Sequence, residues 1–150
     1  MSQTLVKLLV HIVFSTKDRR NLITAEIEPE LFAYMAGTLK QLDCPCLAIN
    51  GATNHVHILI SLSKNIALSK MMEELKKSSS KWIKTKGENF RDFAWQEGYG
   101  VFSIGESNIE ALKKYIAKQK AHHKVQQFET EFLDILKKYR VKHDPRYIWL

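Results

Sequence analysis

The chain has 150 residues, of which 45% are hydrophobic and 26% are charged, proportions that are typical of a globular domain and exclude a fibrous or disordered chain. Lysine and arginine outnumber aspartate and glutamate by 23 to 16, and the net charge of +7 favours a polyanionic partner such as nucleic acid. No apolar run reaches the roughly 18 residues of a membrane span, and Met1 to Thr4 do not begin a signal peptide. We therefore expect one domain, residues 1–150, in the cytoplasm, where Cys44 and Cys46 are reduced thiols.

The first part of the chain predicts a strand, a helix and a hairpin. Apolar and polar residues alternate over residues 5–15, which predicts the first strand; it ends in a basic turn, 16–20, that either contacts phosphate or is a solvated loop. Apolar residues at helical spacing predict the first helix over 29–42. A second strand, 44–52, and a tight turn at 51–54 lead into the third strand, so that the two strands form a hairpin.

The third predicted strand, 54–62, places two histidines side by side. Because side chains alternate along a strand, one face is apolar from Val56 onwards, whereas the other face carries His55 and His57. Their Cβ atoms should lie roughly 6 to 7 Å apart, so the imidazoles are able to bind one metal ion or bracket one phosphate. Two partly exposed surface histidines are the alternative, since the pattern alone is a weak signal. Leu59, on the same face, is expected to be exposed and to contribute to an interface.

A second helix and a fourth strand follow the hairpin. Residues 66–86 have the spacing of an amphipathic helix, with a stripe of lysines that is either solvated or faces phosphate. Residues 93–104 are rich in aromatic and β-branched residues and predict the fourth strand. Gly98 and Gly100 interrupt this strand, where a bulge or a close approach of another group is expected.

The C-terminal part predicts two further helices. Residues 107–110 have the spacing of a capping box and begin a helix over about 107–121. A last helix over 128–139 and its tail complete the segment 125–150. The order β-α-β-β-α-β followed by helices predicts an α+β fold of the ferredoxin-like, split β-α-β type, an antiparallel sheet with helices on one face. The two histidines then lie on the other face, where a ligand, a partner chain or the C-terminal helices have access to them.

The helix over 107–121 carries a tyrosine and a glutamine on one face. Tyr115 and Gln119 are four residues apart and therefore one turn from each other, at the edge of the apolar stripe. His122 or His123 continues that line. Taken alone, Tyr115 is more often an aromatic residue that packs at an interface than a functional group.

In chain order, these features resemble the HUH class of single-tyrosine transposases, the small transposases of insertion sequences that act on single-stranded DNA and include the REP-associated tyrosine transposases. The resemblance covers nearly the whole chain. It rests on Phe14–Lys17 with Arg19 and Arg20, His55-Val56-His57, Trp95 with residues 98–103, Tyr115-Ile116 with Gln119, His122-His123, Phe128 and Glu131.

The resemblance implies the chemistry and the roles of the central residues. His55, His57 and Gln119 would bind one divalent ion, and Tyr115 would attack DNA to form a 5′-phosphotyrosine and a free 3′-hydroxyl. Nitrogen and oxygen ligands without thiolate suit Mg²⁺ or Mn²⁺. The resemblance also implies recognition of DNA hairpins near element ends and a homodimer, in which the tyrosine helix of one subunit completes the site of the other.

Basic side chains are the expected phosphate contacts of such a protein. They are Lys17, Arg19 and Arg20 in the first turn, Lys70, Lys77, Lys81 and Lys84 on the second helix, and Lys113, Lys114 and Lys118 on the tyrosine helix. The pair His122 and His123 is expected to contact DNA or to orient Gln119, unless it merely ends the helix with favourable charge.

Several alternatives stay open at the level of sequence. A competing metal site would join Cys44 and Cys46 to the two histidines around zinc. However, a hairpin register that pairs His55 with about Asn50 leaves the thiols at least ~7 Å along the sheet from the imidazoles. The cysteines are therefore expected to be small buried apolar residues, and His11 an ordinary strand histidine on the same face as the pair. For the whole chain, the alternatives are a non-catalytic or domesticated protein that binds nucleic-acid hairpins, and a phosphodiesterase that uses water.

Overall fold

The computed structural model describes residues 2–150, with the side chains of residues 124 and 125 excepted. Its centre is a four-stranded antiparallel sheet in which the strands lie in the order β2-β3-β1-β4. The predicted ferredoxin-like α+β fold is therefore confirmed. The strands are β1 (Leu9–Ser15), β2 (Cys46–Ala52), β3 (His55–Ser61) and β4 (Gly100–Ile104).

Five α-helices form two layers, one on each face of the sheet. The helices are α1 (Glu28–Gln41), α2 (Leu68–Ile83), α3 (Ile109–Ala117), α4 (Gln119–Val125) and α5 (Phe128–Lys138). Helices α1 and α2 cover the first face, as expected for the two crossover connections, and the three C-terminal helices cover the second. In residues 2–150, no helix is both long enough and apolar enough to span a bilayer.

The first face of the sheet holds the larger apolar core. Its strand residues include Ile12, Phe14 and Ile58, which are fully buried under the apolar stripes of α1 and α2. The predicted alternation of β3 is thus confirmed, since Val56 and Ile60 also lie in this core. Burial of these side chains is the main source of stability for such a layer.

The second face holds a smaller aromatic core beside a polar cluster. Val13 and Phe102 on the sheet contact Phe128, Phe132 and Leu136 of α5. The tail returns over the same helix, where Trp149 packs against it, and Ile148 also joins this core. This layer therefore fixes α5, and with it the polar residues of that helix, on the histidine face of the sheet.

The first strand is shorter than predicted. β1 begins at Leu9 and not at residue 5, because Leu9 pairs with Ser61 and Ile104, the last residues of the two flanking strands. Leu5 and Leu8 precede that limit and are exposed. The second strand likewise begins at Cys46 and not at residue 44.

The fourth strand is also shorter than its aromatic composition suggests. β4 comprises only Gly100–Ile104, and the preceding residues cross the end of β1 as a loop. Trp95 forms an isolated bridge with Thr16, and its indole N–H donates to Ser79 Oγ over 2.9 Å. A close approach is confirmed at Gly100, where a Cβ atom would lie 2.8 Å from a ring carbon of Phe132.

The helices differ from prediction mainly at their ends. The capping box at 107–110 is wrong, since residues Glu106–Asn108 form a 3-10 turn and no side chain caps α3. The tyrosine helix predicted over 107–121 is two helices, which are separated at Lys118. α2 ends at Ile83, before a 3-10 turn, and α5 ends at Lys138.

Candidate active site

The site begins with the two histidines of β3. The side chains of His55 and His57 are 1% and 0% exposed. They are therefore not two partly exposed surface histidines, which was the alternative at the level of sequence. The Nδ1 atoms of both rings have partners: His55 Nδ1 lies 2.8 Å from Asn54 Oδ1, and His57 Nδ1 lies 2.9 Å from His11 Nε2. These bonds leave the two Nε2 atoms to face a common point, which is how metal-binding histidines are usually oriented.

Glu131 of α5 occupies that point. Its Oε1 atom lies 3.0 Å from His57 Nε2 and 3.5 Å from His55 Nε2. In the described part of the chain, these three residues form the one group of histidine, cysteine or acidic side chains whose ligand atoms lie within 4.8 Å of one another. Sequence reasoning included Glu131 in the family resemblance but did not predict it as a ligand.

Gln119, the first residue of α4, joins the same cluster as predicted. Its Oε1 atom lies 3.0 Å from His55 Nε2, and its amide nitrogen donates to Glu131 Oε2 over 3.2 Å. The side chain is fully buried. Gln119, which the resemblance implies as a ligand, and Glu131, which was not predicted, therefore meet at the two histidines.

Tyr115 approaches from α3. Its hydroxyl donates a short hydrogen bond to Glu131 Oε2, the oxygen that faces away from His57. Its ring lies edge-on to that of His57, with 5.7 Å between the centroids. Glu131 thus connects the tyrosine hydroxyl to the histidines within one chain.

A side-chain contact from the sheet holds the tyrosine helix in this place. Asn50 of β2 pairs with His57 in the sheet register, and its amide nitrogen donates to the carbonyl oxygens of Ile116 and Ala117, over 2.9 and 3.2 Å. These are two of the free carbonyls that end α3. The break between α3 and α4 is therefore capped by the strand next to the histidines, which places Tyr115 and Gln119 on either side of it.

Burial disfavours the charged forms of His55 and His11. It lowers the pKa of His55 to about 3, together with repulsion from His57, although the hydrogen bond with Gln119 opposes the shift. The pKa of His11 is also lowered to about 3 for the same first reason. Neutral imidazoles are the form that binds a metal ion.

The pKa values of Glu131 and Tyr115 are shifted in opposite directions. Burial favours a raised pKa for Glu131, but the hydrogen bond and charge of His57 and the hydrogen bonds of Tyr115 and Gln119 lower it to about 2. Burial and the neighbouring carboxylate raise the pKa of Tyr115 above its ordinary value. The phenol thus holds its proton while it donates to an ionised carboxylate.

Three other histidines adjoin this cluster. His11 is buried and forms a direct hydrogen bond with His57. It was expected to be an ordinary strand histidine, but it contacts the cluster directly. The ring of His122 lies 4.7 Å from that of Tyr115, and the ring of His123 lies 5.6 Å from that of His55. Among the described residues, His123 Nδ1 is the buried side-chain nitrogen or oxygen atom without a hydrogen-bond partner.

The predicted phosphate-binding residues lie in different layers. Lys113, Lys114 and Lys118 belong to α3 or its end, beside Tyr115. Arg19 reaches the same layer, because its guanidinium lies 3.2 Å from Glu129 and 4.7 Å from the centre of the Trp149 ring. The neighbouring Lys17 and Arg20 are exposed in the same turn.

The lysine stripe of α2 lies on the other side of the sheet. Lys70, Lys77, Lys81 and Lys84 are exposed on a helix whose apolar side packs on the first face. Lys70 pairs with Glu74 of its own helix over 3.2 Å. These lysines therefore are not brought together with Tyr115.

Two further expectations on the histidine face are wrong. Leu59 is fully buried under the C-terminal helices and offers no surface for an interface. The hairpin register is tighter than predicted: His55 pairs with Ala52, and Asn50 pairs with His57. Cys44 packs in the first core, as expected for a small apolar residue, and Cys46 pairs with Ile60, so the zinc alternative has no support in the described residues.

The donor set fits a divalent metal ion. Two imidazole nitrogens and a carboxylate oxygen face one another in a buried place, and the amide oxygen of Gln119 adjoins them. Such nitrogen and oxygen donors suit first-row divalent ions and Mg²⁺. Glu131 was hard to predict, yet one signal exists: it is an acidic residue among the apolar Phe128 and Phe132 on the buried side of α5, and a buried carboxylate needs a partner.

Comparisons with known proteins show the family and the fold of this chain. The family model described as "Transposase IS200 like" matches residues 4–119. No curated protein matches the chain. Two solved structures share the fold. The first, a protein of Deinococcus radiodurans R1 that is assigned as a transposase, aligns with a TM-score of 0.62 and 20% identity over 79% of this chain and 98% of its own. The second, a REP-associated tyrosine transposase bound to a REP hairpin, aligns with a TM-score of 0.60 and 16% identity over 82% of this chain and 74% of its own.

Proposed function

Because the family match covers residues 4–119, the chain belongs to the IS200-like transposases, and from this premise we propose that it nicks and rejoins single-stranded DNA through Tyr115. The observation that carries the proposal is the hydrogen bond from the Tyr115 hydroxyl to Glu131, whose other oxygen faces His57. An enzyme that forms a covalent tyrosine intermediate needs the tyrosine next to the residues that would bind the metal ion. A phosphodiesterase that uses water as the nucleophile needs no tyrosine at that position.

The proposed reaction balances without a further reactant. The phenolic oxygen of Tyr115 attacks the phosphorus, a new O–P bond forms, and the bond from phosphorus to the 3′-oxygen breaks. Glu131 Oε2 accepts the hydrogen bond of the phenol and orients it. The phenolic proton leaves to solvent as the O–P bond forms, and the departing oxygen takes up a proton from solvent and becomes a 3′-hydroxyl. The DNA is then held as a 5′-phosphotyrosine, and attack by another 3′-hydroxyl reverses the step and joins the strands.

The proposed cofactor is Mg²⁺ or Mn²⁺. His55, His57 and Glu131 would hold the ion, with Gln119 beside them, since their donor atoms already face one another. When bound, the ion supplies Lewis-acid stabilisation of the negative charge on the phosphate. The protein residues bury the site, keep the His55 imidazole neutral and orient the phenol toward Glu131.

The proposed substrate is single-stranded DNA that carries hairpins, as one of the structural neighbours is bound to a REP hairpin. Lys113, Lys114, Lys118 and Arg19 lie in the layer of Tyr115 and are the proposed phosphate contacts beside it. The lysines of α2 lie across the sheet and would contact only a more distant part of the DNA. His122 and His123 adjoin the tyrosine and His55 and are proposed to contact the strand there. A cytoplasmic location belongs to the same proposal.

A homodimer with Tyr115 acting in the partner's site is implied by the family resemblance, whereas the hydrogen bond of Tyr115 with Glu131 of its own chain favours action in cis. A mixing experiment separates the two arrangements. Tyr115→Phe and His55→Ala proteins are mixed, and adduct formation is measured. Recovery of activity in the mixture indicates exchange of tyrosines between subunits; two proteins that stay inactive when mixed support action in cis.

The decisive experiment is a covalent-adduct assay. The protein is incubated with Mn²⁺ and tiled single-stranded oligonucleotides from the DNA that flanks its gene, and the products are analysed on denaturing gels and by peptide mass. We expect a nucleotide on Tyr115 that is lost in Tyr115→Phe and in the presence of a chelator. Tyr34→Phe is the matched control, since Tyr34 packs on Trp82 in the first layer. Tight hairpin binding without an adduct on any strand would instead support the non-catalytic alternative.

A further inference from the structure

A groove of about 730 Å³ opens next to Tyr115, and the proposed chemistry does not use most of it. Its walls are α3 and α5, and its floor includes His11 and Ser103. The two helices meet where the Tyr115 hydroxyl contacts Glu131. From that end, the groove extends along both helices for about 10 Å, the length of seven helical residues.

The spacing of the lining residues shows that each helix presents one face to the groove. α3 and the residue before it contribute Asn108, Leu112 and Tyr115, and α5 contributes Asp134, Ile135 and Lys138. Counted from Tyr115 on α3 and from Glu131 on α5, the other positions are three, four or seven residues away, which is the spacing of one helix face. Leu112 and Ile135 give the two walls apolar surface, and Asn108, Asp134 and Lys138 add polar groups.

We propose that this groove binds one unpaired nucleobase of the DNA substrate, next to the phosphate that Tyr115 attacks; the inference rests on the proposed function. A phosphate is excluded from the groove, because Glu131 and Asp134 place two carboxylates in its wall. A duplex is excluded by size, since a groove of this volume suits a small flat ligand. Enzymes that act on nucleic acid commonly hold a base out of its stack between apolar side chains.

The polar groups specify which bases fit. Asp134 offers a carboxylate that accepts hydrogen bonds, one of them already from Gln126 over 2.9 Å. Lys138, one turn along α5, offers a donor, as does the amide of Asn108. A base that carries both an exocyclic amine and a carbonyl satisfies both sides. Guanine and cytosine have this pair, whereas thymine lacks the amine and adenine lacks the carbonyl.

The test varies the base and the groove together. In an oligonucleotide that forms the adduct, each of the two nucleotides that flank the cut is changed in turn to each of the four bases and to an abasic site. At one of these positions, we expect guanine or cytosine to give adduct at least roughly 10-fold faster than thymine, adenine or the abasic site. Rates within twofold of one another at both positions would overturn the proposal.

Variants then connect the preference to the groove. Asp134→Asn and Lys138→Gln are expected to reduce the base preference to within about threefold, without loss of the fold. Lys137→Gln is the matched control, because Lys137 is exposed on the same helix and does not line the groove. If Lys137→Gln weakens the preference as much as Lys138→Gln does, the effect is one of general charge and the proposal fails.

Equilibrium binding distinguishes this proposal from the proposed function. The same substitutions are made at each unpaired position of the tightest-binding oligonucleotide, and binding is measured with Tyr115→Phe protein. If no oligonucleotide ever forms an adduct but binding prefers guanine or cytosine at one position and loses this preference in Asp134→Asn, the groove is supported and the transposase chemistry is not. An adduct without any base preference gives the opposite result.

Discussion

The two faces of the sheet are made from the same strands, yet they differ in composition and in the helices that cover them. On β3, Val56, Ile58 and Ile60 face α1 and α2 in an apolar core, whereas His55 and His57 face the C-terminal helices. The first face is closed by helices that the β-α-β connections supply. The second face is covered by α3, α4 and α5, which follow the last strand in the chain.

This difference separates stability from chemistry. The apolar face buries large side chains against one another and gains most of its free energy from that burial. The polar face gathers His55, His57, Gln119 and Glu131, whose burial is tolerated only because each has hydrogen-bond partners. Substitutions at adjacent positions of one strand should therefore affect different properties.

The largest effect on folding is expected on the apolar face. Ile58→Ala should lower the free energy of unfolding by about 2 to 5 kcal/mol, because it leaves a cavity in a fully buried place. Denaturation with urea measures this loss. The neighbouring His57→Ala should abolish binding of Mn²⁺, which titration calorimetry measures, whereas Ile58→Ala should retain it in the folded fraction. The comparison of faces fails if Ile58→Ala weakens metal binding as much as His57→Ala does.

The period of the strands explains why both faces were predictable from sequence. Alternation of Val56 to Ile60 with the histidines fixes which side each residue faces, whatever covers it. The four-residue spacing of Tyr115 and Gln119 is also local, so it was informative although the helix breaks between them. The prediction of a capping box was wrong, because residues Glu106–Asn108, just before α3, form a 3-10 turn.

Contacts between distant parts of the chain were not predictable in the same way. Glu131 reaches His57 across 74 positions only because α5 folds back onto the sheet. The burial of Leu59 depends on the same layer, so its exposure was wrongly predicted. The stretch around Trp95 has strand composition but follows a loop, since its indole is bound to Ser79 of α2. Each of these outcomes depends on packing between helices and sheet, which periodicity does not specify.

Acid should destabilise the polar face before the apolar one. The pKa values of His11 and His55 are about 3 in the folded protein, below the usual 6.5, so the unfolded chain binds more protons between these limits. The free energy of unfolding therefore falls as the pH is lowered from 6.5 toward 3, by about 2 kcal/mol for each histidine at pH 5. Glu131, with a lowered pKa of about 2, adds a further loss only below its unfolded value of 4.5.

Urea denaturation of metal-free protein from pH 7.5 to 4.5 measures this dependence. His11→Phe should reduce the slope, because one of the two histidines with a lowered pKa is removed. His143→Gln is the control, since His143 is exposed in the tail and should leave the slope unchanged. A stability that is constant across this range would show that the histidines of the second face are not held neutral.

The carboxylate of Glu131 is the next test, since it is the proposed ligand that sequence alone did not predict. Glu131→Gln should weaken Mn²⁺ binding by at least roughly 10- to 100-fold, the loss seen even when a residue that only orients a ligand is changed, or about 1 to 3 kcal/mol. Glu129→Gln removes the same charge two residues away, from a side chain that pairs with Arg19 at the surface, and should change the affinity little. Equal losses in both variants would indicate a general effect of charge.

The smallest effect on stability is expected at Asn50, which lies in β2 and connects that strand to the end of α3. Asn50→Ala removes the hydrogen bonds to the carbonyls of Ile116 and Ala117, so the end of α3 is no longer attached to β2. Stability should fall by only about 0.5 to 1.5 kcal/mol, and Mn²⁺ affinity should change little. The rate of adduct formation should fall more than either, because the position of Tyr115 depends on that end of the helix. Asn21→Ala, which removes a hydrogen bond with Thr53 at the surface, is the matched control. If Asn50→Ala leaves the adduct rate at the level of that control, the helix is held by its packing alone.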